Sequence, residues 1–165
     1  MASWLTHDEQ TAWMGLLVMS EGLFAELNRR LQAEHNLSTA DYDVLSRLSQ
    51  APDDRLRGRD LADMLTWEQS RLSHQLGRMQ RRGLIEKTQS PDDRRSYLFA
   101  LTSAGRDALV AAAPGHVEAV RELFIDRLTR EQIAQLTQIA RAVTAPLRVE
   151  EDKVRESRAP AGGLR

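Results

Sequence analysis

Apolar residues early in the chain recur at helical spacing: Trp13, Leu16, Leu17, Leu23, Phe24, Leu27 and Leu31, with Ser20 filling one gap. They predict a helix over 8–34. At ~1.5 Å per residue it is about 40 Å long, more than one small domain can cover. Ser38 is a good N-cap for the next helix, with Asp41 three residues on, near the positive helix end. Tyr42, Leu45 and Leu48 form its inward stripe, and Ala51-Pro52-Asp53-Asp54 ends it with turn chemistry. A short helix is expected near Gly58–Leu65, with Leu61, Ala62 and Leu65 inward. Thr66-Trp67-Glu68-Gln69 reads as a capping box, with Thr66 at the cap and Gln69 at the third helical position. The helix it opens extends to about Arg82 on a stripe of Leu72, Leu76 and Met79, and Gly83 is placed for a left-handed stop.

The pattern then changes. Leu84–Thr88 and Ser96–Leu101 read as two short strands around the polar turn Ser90-Pro91-Asp92-Asp93-Arg94-Arg95, a β-hairpin with a charged tip. After Thr102 a helix resumes, with Leu109, Ala113, Val117, Val120, Phe124 and Leu128 in phase. Pro114-Gly115 falls inside it. A proline there removes a backbone bond and predicts a kink, with two separate helices as the alternative. Thr129 and Gln132 form another capping box. Ile133, Leu136, Ala140, Val143 and Leu147 mark a last helix ending near Pro146. From Val149 the sequence is charged and then Ala-Pro-Ala-Gly-Gly, so 149–165 is expected to be a mobile tail. No internal repeat is visible. The fold class expected is mainly α with a small β-hairpin.

Composition narrows the function. A chain of 165 residues is one domain by length and large enough for a core without metal or disulfide staples. The absence of cysteine excludes a thiol nucleophile, a thiolate zinc site and a thiol redox sensor. The four histidines, His7, His35, His74 and His116, lack ligand spacing, so no metal or cofactor is expected. No apolar run is long enough to span a bilayer. The first residues lack the basic start and apolar run of a signal peptide, so a cytoplasmic protein is the default expectation. Net charge is −1, yet Arg55 to Arg106 holds eleven Lys+Arg against six Asp+Glu. Including Asp53 and Asp54 reduces that excess, and a basic middle between acidic ends still suggests one anion-facing surface. There is no phosphate loop, nucleophile elbow or paired-carboxylate site, so catalysis is not expected.

The stretch from Leu61 to Thr102 resembles the winged helix-turn-helix of the MarR family of bacterial transcription regulators. The matching pieces are Leu61-Ala62-Asp63-Met64-Leu65, the run from Ser70 to Met79, Arg82-Gly83-Leu84-Ile85, Asp93-Arg94-Arg95, Leu101-Thr102 and Gly105. An Asp-x-Arg hairpin tip shortly before a Leu-Thr that opens a long helix is the most specific of these. The likeness covers about residues 10–147. It implies a winged helix-turn-helix over 38–102, with 8–34 and 103–147 as dimerisation helices. It further implies a homodimer that binds a pseudo-palindromic duplex, represses transcription and, in many members, responds to a small-molecule effector.

The residues suit that reading. A recognition helix needs one apolar face for the domain and one polar face for the major groove. With Leu72, Leu76 and Met79 inward, the helix presents Ser70, Arg71, His74 and Arg78, with Gln69 at its start and Ser73 and Gln75 at its flanks. Arg can fork onto guanine and Gln onto adenine. Arg94 and Arg95 suit the minor groove, with Arg95 the tip arginine by family position and Asp93 holding the tip. Thr102 looks like the cap of the following helix.

Bland readings stand beside these. Arg71 and Arg78 taken alone are equally well solvated surface charges. Glu68 is a first-turn acid suited to the helix dipole rather than a base reader. Arg81 and Arg82 either touch phosphates or offset the negative helix end. Arg57 and Arg59 are candidates for backbone proximity, and Trp67 is either a packing anchor or an edge contact. Trp13 and Met14 either line an effector pocket or are simply core. The terminal helices either interlock with a second copy or fold back on a monomer. A protein-interaction module on the same fold, without DNA binding, is the competing function.

Overall fold

Two reciprocal capping boxes set the start of the chain. A computed structural model describes residues 4–90 and 96–158, and side chains as far as Leu147. Helix α1 (His7–His35) is opened by Thr6, whose N–H donates to the Glu9 carboxylate at 2.7 Å while its hydroxyl accepts the Glu9 N–H. Asn36, in the left-handed region at φ 53°, closes it. In α2 (Thr39–Ser49) the Ser38 hydroxyl accepts the Asp41 N–H at 3.0 Å, and the Asp41 carboxylate accepts the Ser38 N–H at 2.8 Å. Asn28 of α1 accepts the Thr39 N–H at 3.0 Å, which ties the two helices together.

A 3-10 turn at Pro52–Asp54 leads into β1 (Arg55–Arg57), then α3 (Gly58–Leu65), α4 (Gln69–Arg81), β2 (Ile85–Gln89), β3 (Tyr97–Leu101) and α5 (Ser103–Leu123). A second 3-10 turn, Ile125–Arg127, precedes α6 (Arg130–Arg158). The described strands form one antiparallel sheet in the order β1-β3-β2, with Leu56 opposite Phe99 and Lys87 opposite Phe99 on the other side. The fold is a winged helix of mainly α character.

The chain divides into two compact units, Met1–Arg121 and Glu122–Arg165. In the first, Leu31, Leu37, Val44, Leu45, Leu48, Leu61, Leu72, Leu76, Met79, Ile85 and Phe99 bury a common core. Thr102 locks the sheet to α5. Its hydroxyl donates toward the Gly83 carbonyl at 2.7 Å and accepts the Gly105 N–H at 3.0 Å. Gly105 is required here, because a Cβ would stand 1.9 Å from the Leu84 carbonyl oxygen. Gly83, at φ +70°, supplies the left-handed stop after α4. In the second unit, the Thr129 N–H donates to the Gln132 side chain at 2.8 Å and the Gln132 N–H returns to the Thr129 hydroxyl, the capping box its sequence implies.

Three sequence expectations change, and one alternative is settled. Thr66 does not cap α4. It is the left-handed exit of α3, at φ 53°, with its N–H bonded back to Ala62 and Asp63. Glu68 takes the N-cap position without a side-chain cap bond, and Gln69 is the first helical residue. Arg55–Arg57 forms a third strand, since a three-residue segment has little signal until β3 pairs with it. Helix α5 continues through Pro114 as one element, so the two-helix alternative fails. Helix α6 likewise passes Pro146 and extends to Arg158, where a tail was expected from 149. Its residues 147–158 hold no glycine or proline and many good helix formers, which outweighs one lost backbone bond. Residues 159–165 of the expected tail lie outside the described residues.

Candidate nucleic-acid interface

The buried face of α4 is set by Leu72, Leu76 and Met79, each no more than 3% exposed. That anchoring turns Gln69, Ser70, Arg71, Ser73, His74 and Arg78 to solvent, so six of the seven expected reading residues share one exposed surface. A groove of about 660 Å³ lies along it, lined by Trp67, Ser70, Arg71, Ser73, His74, Arg78 and Arg81 among others. The face carries Arg71, Arg78 and Arg81 together with Ser70, Ser73 and His74. Hydrogen-bond donors dominate it, which suits phosphates and the O6/N7 edge of guanine.

Two side chains restrain the arginines. The Arg71 guanidinium lies over the Trp67 ring, 4.4 Å from its centroid. Trp67 is half-buried against the core with a cation–π partner, as its packing reading expects. Arg78 donates to the side-chain oxygen of Gln75.

Gln75 itself is a correction. Expected at the flank of the reading face, it is 2% exposed and turned inward, with its amide nitrogen donating to Asp41 Oδ1 at 2.7 Å. Both ends of its amide are engaged inside the protein, which removes it as an adenine reader. Leu72, Gln75, Leu76 and Met79 fall at i, i+3, i+4 and i+7, so its spacing places it on the core stripe. A polar residue on that stripe needs an internal partner, and that was the available signal. The partner, Asp41, is 3% exposed and was missed as anything but a dipole-favourable acid.

Arg82 makes contacts that neither of its sequence readings named. It donates to Asp41 Oδ2 at 2.8 Å and to the Asn36 carbonyl, so it serves the junction of α1, α2 and α4. Arg81 is exposed beside the groove. On the wing, the Lys87 ammonium sits 3.6 Å from the Tyr97 ring centroid, a diagonal cross-strand pair. Asp93, Arg94 and Arg95 lie outside the described residues.

Trp13 and Met14 are half exposed on α1, as are Leu16 and Met19, and Val18 and Phe24 are more exposed still. A different cluster occupies the α1–α2–α5 junction. The His116 ring packs on Tyr42 with centroids 4.3 Å apart, and its Nδ1 is buried without a partner among the described residues. Burial holds the His116 imidazole below its ordinary pKa, against the opposing charge of Asp43. Burial raises the Asp43 carboxyl, partly offset by His116, Arg47 and Arg71. Among the described residues no group of three or more His, Asp or Glu is arranged to hold a metal, and no helix is long and apolar enough to cross a membrane.

The arrangement of helix, helix and three-stranded wing defines a class, the winged helix-turn-helix proteins. The family description that matches is "MarR family", over residues 35–96. AbsC of Streptomyces coelicolor, a MarR family transcriptional regulator, is 36% identical, with 89% of this chain and 99% of that one covered at a TM-score of 0.85. Sco3205 of the same organism, a MarR family regulator solved in complex with DNA, is also 36% identical. It superposes with a TM-score of 0.86 over 89% of this chain and 92% of its own. The transcriptional regulator HosA of Escherichia coli O111:H- is 29% identical over 120 residues, 72% of this chain and 87% of its own. This chain belongs to the MarR family of transcriptional regulators.

Proposed function

We propose that the protein is a homodimeric regulator that binds a pseudo-palindromic DNA duplex and represses transcription by occluding a promoter. The observation that carries this is the outward face of α4, where Arg71, Arg78, Ser70, Ser73 and His74 line one groove on a helix anchored by its opposite side. Sco3205, at 36% identity, is described in complex with DNA. In this reading α4 enters the major groove. Arg71 and Arg78 reach base edges, Ser70, Ser73 and His74 bond phosphates or base edges, and Gln69 adds a contact at the helix start. Arg94 and Arg95 of the wing reach the minor groove, with Asp93 holding the tip.

Apolar side chains left uncovered in one chain support the dimer. Trp13, Leu16, Val18 and Phe24 of α1 are about half or more exposed, and so, on α6, are Ile139, Val143 and Leu147. Large apolar patches on soluble chains mark interfaces, and a two-fold dimer matches a two-fold duplex. Within this reading, Trp13 and Met14 offer an apolar contact for a small effector that relieves binding.

Selection of bound duplexes from random DNA at one stated salt concentration tests the proposal. A two-fold-symmetric motif with half-sites about 34–36 Å apart is expected. Sequence-blind enrichment would instead favour an interaction module on the same fold.

A further inference from the structure

Gln75 and Asp41 are both almost fully buried, yet they form a chain that ends on the reading face. Asp41 accepts from the Ser38 N–H, the Ser38 hydroxyl, Gln75 Nε2 and Arg82 Nη1. Four donors from three residues leave its carboxylate one position. Gln75 is then oriented without ambiguity. Its nitrogen must face the carboxylate, an acceptor only, and its oxygen must face Arg78, a donor only. The Gln75 oxygen in turn holds one of the five N–H groups of the Arg78 guanidinium and leaves the other four available.

We propose that Asp41, acting through Gln75, is a positioning residue that fixes the Arg78 guanidinium and thereby sets base discrimination at the position Arg78 reads. This rests on the reading of Arg78 as a base contact. A planar five-donor cation on a flexible stem gains specificity when its plane is set before binding, because less side-chain freedom is lost in the complex. The relay also gives a role to the polar residue on the core stripe of α4.

The test measures Kd for a selected duplex and a scrambled duplex at one salt concentration, together with Tm. The variants are Arg78→Ala, Gln75→Leu, their double, Asp41→Leu and Asp41→Asn. Arg78→Ala should lower the selected-to-scrambled ratio about tenfold or more. Gln75→Leu should lower the ratio by a similar factor and add nothing in the Arg78→Ala background. Asp41→Asn has a single acceptor oxygen, which the three donors on the Oδ2 side claim, so its NH2 faces Gln75 and turns the Gln75 amide nitrogen toward Arg78. It should lower the ratio at least as much as Asp41→Leu while losing less Tm. If Gln75→Leu does not fold, Gln75→Met takes its place. A ratio unchanged in Arg78→Ala would overturn the base-contact reading itself. A ratio lost in Arg78→Ala but kept in Gln75→Leu, or losses that add in the double variant, would overturn the relay alone. A ratio that simply tracks Tm across the Asp41 variants would reduce Asp41 to a structural residue.

Discussion

Arg71 of the reading helix is stacked on Trp67, which comes from the turn ahead of it, with 4.4 Å between the guanidinium carbon and the ring centroid. An aromatic face fixes a guanidinium plane while leaving its N–H edges free, so the side chain is set before DNA arrives. Such a pair at an exposed site contributes about 0.5–1 kcal/mol. Trp67→Ala is therefore expected to weaken binding of a selected duplex about two- to fivefold, and Trp67→Phe to lose less. Fluorescence anisotropy at fixed salt reads this directly, and an unchanged Kd in Trp67→Ala would show the stack to be idle.

Gly105 allows the first turn of α5 to meet the Leu84 carbonyl, with room for a hydrogen only. Gly105→Ala should cost about 1–3 kcal/mol, because the backbone and not a flexible side chain must move. Several degrees of Tm would be lost. A variant that melts with wild type would mean the strand–helix junction relaxes freely.

His116 gives the fold a pH dependence of predictable sign. Burial lowers its folded-state pKa from the ordinary value of 6.5, so the unfolded chain binds the proton more readily. Stability from this group is complete above about 6.5 and is lost as pH falls through the lower folded value. His116→Phe keeps a ring against Tyr42 and removes the proton site. Its denaturation midpoint should fall less than that of wild type between pH 7 and 5. The raised Asp43 carboxyl has the opposite sign, and in His116→Phe it loses the offsetting charge of His116 and rises further, which flattens the variant's profile in the same direction. Parallel pH profiles would remove it as a contributor.

Phe24 is 62% exposed in the single chain, on the same side of α1 as Trp13 by helical spacing. If that surface is a dimer interface, wild type sediments at twice 18.7 kDa and Phe24→Glu shifts toward one chain. The charge would otherwise be buried without a partner. A wild-type protein that sediments as one chain would contradict the dimer.

Much of this was legible in the sequence where a local rule decides the outcome. Ser38–Asp41 and Thr129–Gln132 cap as their spacing implies, and Gly83 stops α4 as glycine should. Where tertiary contacts decide, the reading failed. Thr66-x-x-Gln69 has the letters of a capping box, but Thr66 is already committed to closing α3. Arg55–Arg57 becomes a strand only because β3 lies beside it. Gln75 was placed by its polarity when its spacing put it on the buried stripe, and its partner lies 34 residues away. Pro114 lies inside one helix as expected, whereas Pro146, expected to end its helix, interrupts one bond in a helix long enough to absorb it.

The central claim is that the outward face of α4 reads DNA. It is tested most directly by titrating wild type and the Arg71→Ala/Arg78→Ala double variant against selected and scrambled duplexes at one salt concentration. Wild type should prefer the selected duplex by about a thousandfold or more. The double variant should lose at least about a hundredfold of that preference, two good base contacts' worth, while Tm stays near wild type. A double variant that keeps the full preference would contradict the account.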